Sequence, residues 1–354
     1  LDALSSQVER QISKQIHSGK YIPDTFIETN ELKDHLRYFS SPYFFYQKVF
    51  DEIQLLDFRH LNRMRRLNNE KSFDYNVTDL GVDVSSYSFK DFIDLINTLS
   101  SYLTVKQKEL KNTGGNLSYS FTHKIDERIE DLSFISSKCL VITDNAGQGK
   151  TNLLCDLAQN VLLKRAIPSI FLTGYEINAI DIKPSFAKQI FLKSDYTFKD
   201  LLKVIEEISH KNKSCFVILI DGLNENSNPK EFSRNLELFI SELVQYPFVK
   251  IILTCRTEYF KNNFSNILLS DFKDKVIEVN RLNNMLNKIQ KKRLYNVYCR
   301  HFNLQIGSIS KEIYEQLVDN FLLLRIFSES YQGQQLPSVS HIYKDELFKK
   351  YYEL

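Results

Sequence analysis

The segment TDNAGQGKTN, Thr143 to Asn152, contains residues whose types and spacing could bind a phosphate group. It ends like the pattern G-x-x-x-x-G-K-[ST], in which loop N–H groups and a helix N-terminus surround the phosphate. The lysine, here Lys150, would reach the β- and γ-phosphates, and the hydroxyl of Thr151 would bind Mg²⁺. The predicted nucleotide-binding residues are Asn145, Ala146, Gly147, Gln148, Gly149, Lys150, Thr151 and Asn152.

The first glycine of this pattern is replaced by Asp144. Glycine there supplies backbone freedom, and Asp and Asn are the other residues that best tolerate left-handed geometry. A carboxylate facing the phosphates would be unfavourable. We therefore expect the Asp144 side chain to point away from them and to accept a hydrogen bond from a nearby backbone N–H. Gly147 and Gly149, the glycines nearest the phosphates, are intact.

A second group of polar residues follows the apolar run CFVILI. Asp221 comes directly after this run, where a carboxylate completes the Mg²⁺ shell in phosphate-transferring enzymes. Glu225 lies four residues later and could orient or deprotonate an attacking water. The alternative is a strand-ending Asp-Gly turn followed by an exposed acid. With Lys150 nearby in the fold, we favour Thr151 and Asp221 as magnesium ligands and a catalytic role for Glu225.

A third segment, IILTCRTEYF, ends another apolar run with the polar residues Thr254 and Arg256. If this strand lies between the strands that carry the first two motifs, Arg256 could contact the γ-phosphate. The sequence alone leaves the strand order open, and Arg256 could instead pair with an acid on the surface. The predicted catalytic residues are Lys150, Glu225 and Arg256.

The elements that would position these residues follow from hydrophobic patterning. Short β-branched or aromatic runs alternate with helix-length segments: CLVIT (139–143), SIFLT (169–173), CFVILI (215–220), VKIILT (249–254) and KVIEV (275–279). This pattern predicts an α/β core over residues 119–282, with a parallel sheet covered on both faces. Apolar residues at three- and four-residue steps predict an N-terminal helical region, 1–118, and a helical lid beginning a C-terminal region, 283–354.

Two segments interrupt the helical patterns of the N-terminal region. In KYIPDTFIET, Pro23 lacks an N–H and restricts Ile22 to extended geometry, so we expect a turn or a short strand. The polar stretch KNTGGNLS, Lys111–Ser118, is typical of a linker.

The composition is that of a soluble globular protein, with 43% hydrophobic and 25% charged residues. A net charge of +2 gives no overall attraction to nucleic acid or to membranes. Without a signal pattern or an apolar run of about 18 residues, we expect a cytoplasmic protein with no membrane partner. The five cysteines lack C-x-x-C spacing, which favours reduced, buried thiols, and the histidines lack transition-metal spacing.

The stretch from Asn280 to Ile309 contains no acidic residue and several basic ones. Such a cluster could contact nucleic-acid phosphates. We favour the alternative that it is a solvated helix face or a contact with a neighbouring domain.

Taken together, NAGQGKT, LIDGLNE and LTCRTEYF resemble the nucleotide motifs of the STAND class of P-loop NTPases, particularly its NACHT-like bacterial branch. The resemblance covers about residues 119 to 335 and implies the strand order 5-1-4-3-2, with the Arg256 strand between the other two. KYIPDTFIE resembles the segment before the core, and RLYNVYCRHF with FLLLRIF resembles the lid after it. Asn224 departs from an often acidic position, and Phe321 stands where relatives usually have a proline near adenine.

The resemblance implies a slowly hydrolysing ATPase that uses Mg²⁺ and switches between ATP- and ADP-bound states by moving its lid. In such proteins a ligand sensed by a C-terminal region releases homo-oligomerisation, which activates an effector. Bacterial relatives include antiviral sensors that recognise phage proteins. The trigger and the effector would lie outside this chain. Two further hypotheses stay open: a non-hydrolysing nucleotide-binding scaffold and an AAA+-like motor that depends on nucleic acid.

Overall fold

A five-stranded parallel sheet forms the centre of the computed structural model, which describes residues 1–27, 30–54, 63, 66, 87–98, 126, 131–190, 197–280, 282 and 286–353. Its strands are β1 (Cys139–Asp144), β2 (Ser169–Thr173), β3 (Phe216–Asp221), β4 (Val249–Arg256) and β5 (Val276–Asn280). Their order is β2-β3-β4-β1-β5, which is the implied order read from the other edge. The α/β prediction and the strand order are therefore confirmed.

The central strands are buried along almost their whole length, which explains their continuous apolar sequences. Every residue of β1 and β3 is buried, and β4 stays buried until it reaches the exposed Arg256. Strands that are covered on both faces cannot alternate apolar and polar residues. The covering helices are α4 (Lys150–Leu157), continued by π-helical turns over Ala158–Leu163, α5 (Ile182–Gln189), α6 (Phe198–Asn212), α7 (Pro229–Leu243), α8 (Thr257–Asn263) and α9 (Asn266–Leu269).

Most of the described residues of the N-terminal region are helical, as predicted. It contains α1 (Asp2–His17), α2 (Asn30–Ser40), α3 (Pro42–Gln54) and helical residues at 89–98. Residues 131–136, in the predicted core, are also helical and precede β1. Residues 21–27 form no helix and turn at Pro23 and Asp24, as predicted for the proline segment. The predicted linker Lys111–Ser118 and the boundary at residue 119 lie outside the described residues. The division into three domains remains a prediction.

Helix α1 covers the edge of the sheet through a buried glutamine. The Gln7 amide donates to the Phe171 carbonyl over 2.5 Å and accepts the Phe171 N–H over 2.9 Å. Phe171 belongs to β2, an edge strand whose backbone groups would otherwise lack partners on that side. The side chain of Gln7 therefore takes the place of a neighbouring strand at this position.

The C-terminal helical region, which we call the lid, consists of α10 (Lys288–His301), α11 (Lys311–Asp319), α12 (Phe321–Ser330) and α13 (Lys344–Tyr352). Two short strands, β6 (Gln305–Ile306) and β7 (Gln335–Leu336), pair in parallel and join the helices. The buried residues of the lid form a cluster of their own, which also includes Ile22 and Ile27 from the N-terminal region. The segment after α1 therefore packs against the lid.

Two further properties of the described residues concern the cysteines and the character of the helices. The cysteines are all free, and Cys139, Cys155, Cys215 and Cys255 are buried, as predicted for structural thiols. None of the described helices combines the length and the apolar character that crossing a bilayer would require.

Candidate functional site

The loop between β1 and α4 has the backbone conformation that its glycines allow. Gly147 and Gly149 have φ values of 70° and 84°, in the left-handed region that favours glycine. Gly149 also caps α4, and no side chain accepts a hydrogen bond at this cap. The N–H groups at the start of α4 are therefore not covered by a capping side chain, as an anion site requires.

Asp144 caps backbone N–H groups, as predicted. Its carboxylate accepts the N–H of Asn145 over 2.7 Å and the N–H of Leu282 over 2.7 Å. The left-handed geometry that Asp tolerates is not adopted at this position. Asp144 is the last residue of β1 and pairs in register with Arg256, so its backbone is extended. The chain first turns left-handed at Gly147, and a glycine at position 144 is unnecessary.

A hydrogen-bonded cluster surrounds Asp221 at the carboxyl edge of the sheet. The Thr151 hydroxyl donates to Oδ2 of Asp221 over 2.7 Å, and the Thr254 hydroxyl donates to Oδ1 over 2.5 Å. Thr254 in turn accepts the Gly222 N–H over 2.8 Å. Burial raises the pKa of Asp221, while the two hydroxyl hydrogen bonds oppose this shift. The oxygen atoms of Thr151 and Asp221 are the hard donors that Mg²⁺ prefers, so this cluster fits a magnesium ion.

The Lys150 ammonium lies beside this cluster and donates hydrogen bonds to two loop carbonyls. Its Nζ donates to the Asp144 carbonyl over 2.7 Å and to the Asn145 carbonyl over 2.6 Å. Burial lowers the pKa of Lys150, and the charges of Asp144 and Asp221 partly offset this shift. A phosphate group would be a stronger, charged acceptor for the same ammonium.

Glu225 and Arg256 reach the same site from the ends of β3 and β4. Glu225 closes a short 3-10 turn, Leu223–Glu225, that follows Gly222. Gly222 has a φ of 68°, and a Cβ added there would lie 3.0 Å from the Glu225 Cδ atom. Both features explain why glycine follows Asp221. The Arg256 N–H donates to the Asn224 side chain over 3.3 Å, so the residue at the often acidic position contacts the strand end instead.

A cavity of about 500 Å³ joins these residues, a size typical of small-molecule sites. All three predicted catalytic residues line it, as do Thr151 and Asp221. Of the predicted loop residues, Ala146 to Asn152 line the cavity. Asn145 and Asp144 are not among its lining residues, and they contact each other and the Lys150 ammonium.

The lid forms the opposite wall of this cavity. A Cβ added to Gly147 would lie 2.6 Å from the Leu322 Cβ, so the lid leaves no room for a side chain there. Phe321 also lines the cavity and is the first residue of α12, which Asn320 caps by accepting the Leu323 N–H over 3.0 Å. This first helical position is one where proline is favoured, so the departure at Phe321 preserves the helix start.

Sequence reasoning missed several residues of the site. Lys20, Arg325 and Tyr351 line the cavity, and none of them was predicted as a site residue. The oxygens Oε1 of Gln148 and Oδ1 of Asn152 are buried without a protein hydrogen-bond partner, which leaves two acceptors near the loop. No local pattern signals these features because each depends on how the N-terminal region and the lid pack on the core.

The basic stretch predicted from the sequence falls largely on the lid helix α10. Leu294 and Tyr298 are buried in the lid, and the Lys291 ammonium contacts the Asp319 carboxylate of α11 over 2.5 Å. At least one charge of the stretch therefore pairs inside the lid. Arg281, Asn283 and Met285 lie outside the described residues.

The sheet order, the glycine loop between β1 and α4, and the carboxylate at the end of β3 together define a P-loop NTPase-like fold. No protein family and no curated protein matches this sequence. Among solved structures, the chain is similar to C. elegans PCH-2, with 14% identity over 73% of this chain and 67% of that chain and a TM-score of 0.27.

Proposed function

We propose that this chain is the ATP-binding and slowly hydrolysing switch module of a STAND-type signalling or antiviral defence protein. The observation that carries the proposal is the contact between Thr151 and Asp221, 2.7 Å apart at the edge of a cavity that also contains Lys150. Hydroxyl, carboxylate and ammonium groups in this arrangement match the requirements of a nucleotide phosphate chain.

Each site residue has a role that its position supports. Lys150 and the N–H groups at the start of α4 would bind the phosphates, and Arg256 would contact the γ-phosphate. Glu225 would accept a proton from the attacking water. Thr254 holds the carboxylate of Asp221 in place through its 2.5 Å hydrogen bond. Held by Thr151 and Asp221, Mg²⁺ would neutralise charge that develops on the phosphates.

The contact between the lid and the loop supports a switch rather than a simple hydrolase. Leu322 packs directly on Gly147, and Phe321 lies next to Gly149. A ligand in the cavity would touch both walls, so its affinity would depend on where the lid lies. The trigger, the effector, homo-oligomerisation on activation and a cytoplasmic location are parts of the proposal that rest on the motif resemblance.

One observation favours the scaffold hypothesis as a second candidate. Lys20 engages both carboxylate oxygens of Glu225, at 2.7 Å and 2.9 Å, and Asn224 occupies an often acidic position. If these features disable the base, nucleotide would be a permanent structural ligand. For the third hypothesis, a motor that depends on nucleic acid, the supporting feature is the basic lid helix α10.

Measuring phosphate release from ATP in the presence of Mg²⁺ distinguishes these candidates. We expect slow turnover by the wild-type chain and a loss of about a hundredfold or more in Asp221→Asn, since the amide is a poor ligand for Mg²⁺. ADP co-purifying with the protein, identified by mass spectrometry, would also support the switch. Turnover no higher than that of Asp221→Asn would favour the scaffold, and stimulation by DNA or RNA would favour the motor.

A further inference from the structure

The N-terminal region places a lysine on the acid that we assign as the general base. Nζ of Lys20 lies 2.7 Å from Oε1 and 2.9 Å from Oε2 of Glu225, although the residues are 205 positions apart. Both residues line the cavity. The turn that follows β3 therefore carries the carboxylate, and the segment after α1 supplies its lysine partner.

Contacts on both sides hold Lys20 in position. The preceding residue, Gly19, accepts a hydrogen bond through its carbonyl from the Arg325 guanidinium of the lid. The following residue, Tyr21, is buried and donates through its hydroxyl to Gln159 over 3.1 Å. Lys20 therefore occupies a fixed point of the backbone between the lid and the core.

The ion pair is more useful for orientation than for stability. The side chains of Lys20 and Glu225 are 43% and 31% exposed, and ion pairs at such exposure stabilise a fold little. A glutamate side chain has several rotatable bonds, and contact with both oxygens fixes the plane of its carboxylate. Each oxygen retains a second lone pair, so Glu225 can still accept a proton.

We propose that Lys20 is a positioning residue for Glu225, so that the N-terminal region completes the hydrolytic site. This inference rests on the proposed function. In the reaction a water oxygen bonds to the γ-phosphorus and gives its proton to Glu225. The bond to the β–γ bridging oxygen breaks, and its electron pair leaves with ADP. Lys20 acts by keeping the Glu225 carboxylate directed at the water.

The chain offers a matched control for this ion pair. Lys14 comes from the end of α1, a few residues before Lys20, and its Nζ contacts Glu176 over 2.8 Å. Its side chain is 52% exposed, close to that of Lys20. Neither Lys14 nor Glu176 is among the residues that line the cavity. Lys14→Met therefore removes a nearby lysine–glutamate ion pair that lies outside the cavity.

The test compares Lys20→Met, Lys20→Arg and Lys14→Met with the wild-type chain, using ATP hydrolysis and equilibrium ATP binding. We expect Lys20→Met to lower kcat by about tenfold to a hundredfold, as misplacement of a reacting group does, while KM and ATP affinity change by less than about twofold. Lys20→Arg should restore most of kcat, because a guanidinium can contact both carboxylate oxygens. Lys14→Met should behave as wild type.

Three results would overturn the inference. An unchanged kcat in Lys20→Met would show that Glu225 needs no partner, and a raised kcat would make Lys20 an inhibitor of the site. A parallel loss of ATP affinity would make Lys20 a nucleotide ligand or a structural residue. If wild-type phosphate release does not exceed that of Lys150→Ala, the proposed function fails together with this inference. An active wild type with a fully active Lys20→Met defeats the inference alone.

Discussion

The Thr151 hydroxyl donates a 2.7 Å hydrogen bond to the Asp221 carboxylate across 70 positions of sequence. Thr151 lies in the first turn of α4 and Asp221 ends β3, and the two elements meet because β4 alone separates β3 from β1 in the sheet. The strand order therefore brings the loop motif and the strand-borne acid into a single site.

Removing the Thr254 hydroxyl should destabilise the fold. Thr254 is fully buried, and its hydroxyl both donates to Asp221 and accepts from the Gly222 N–H. Thr254→Val keeps the shape and leaves those two groups without this partner, so we expect a loss of about 1–3 kcal/mol in the free energy of unfolding. Urea denaturation measures it. Thr98→Val, at an exposed helical position, is the control, and equal effects of the two substitutions would contradict the prediction.

The two loop glycines should respond differently to alanine. Both have positive φ, so each substitution strains the backbone by about 1–2 kcal/mol. A Cβ at Gly147 would also lie 2.6 Å from Leu322, whereas at Gly149 the nearest atom, on Phe321, is 3.7 Å away. We expect Gly147→Ala to lose more stability than Gly149→Ala in urea denaturation. Equal losses would show that the lid does not pack on Gly147.

Restoring the missing glycine of the loop pattern should not improve this protein. Asp144→Gly removes the acceptor of the Asn145 and Leu282 N–H groups, and Asp144 is buried. We expect the free energy of unfolding to fall by about 1–3 kcal/mol, with ATP affinity retained. Asp144→Asn keeps one acceptor oxygen and should lose less. A gain in stability or in ATP affinity for Asp144→Gly would contradict the assigned role.

The sequence predicted the elements that depend on local pattern. Each strand was found to within two residues, because strands buried on both faces are continuous apolar runs. The loop was recognisable because its lysine, hydroxyl and left-handed glycines are adjacent in sequence. The strand order came only from the resemblance to other proteins, since spacing does not fix it.

Contacts between regions were beyond sequence reasoning. Lys20 meets Glu225, and Leu322 meets Gly147, only because the segment after α1 and the lid both pack beside the core. Lys250 lies inside the apolar strand β4, and its side chain is fully buried. The sequence does not indicate this burial, because a lysine normally keeps its charge in solvent. In each case the partner is set by tertiary packing, which overrides what the neighbouring residues indicate.

Lys250 should make stability depend on pH. Its ammonium contacts the carbonyls of Ile135 and Ser137 and lies 4.9 Å from the centre of the Phe39 ring. Burial lowers the pKa of Lys250 from 10.5 to about 7. Between these values the unfolded chain holds a proton that the folded chain has lost, so the free energy of unfolding rises with pH.

A comparison with Lys250→Met isolates this effect from other titrating groups, including the neighbouring Lys138, whose pKa burial lowers to about 8. From pH 7 to 9, the wild type should gain stability relative to Lys250→Met by about 1 kcal/mol per pH unit, the contribution of one proton. Urea denaturation at several pH values provides the measurement. Parallel stability curves for the two proteins would contradict the buried, titrating lysine.

The most direct test of the nucleotide site is the equilibrium affinity for ATP with Mg²⁺, measured by isothermal titration calorimetry. Lys164→Ala is the matched control, since Lys164 is exposed beyond the same helix and contacts Asn160 over 2.7 Å. We predict that the wild type and Lys164→Ala bind ATP equally, and that Lys150→Ala binds about a hundredfold or more weakly because the phosphates lose the half-buried Lys150 ammonium. Wild-type affinity in Lys150→Ala would contradict the account.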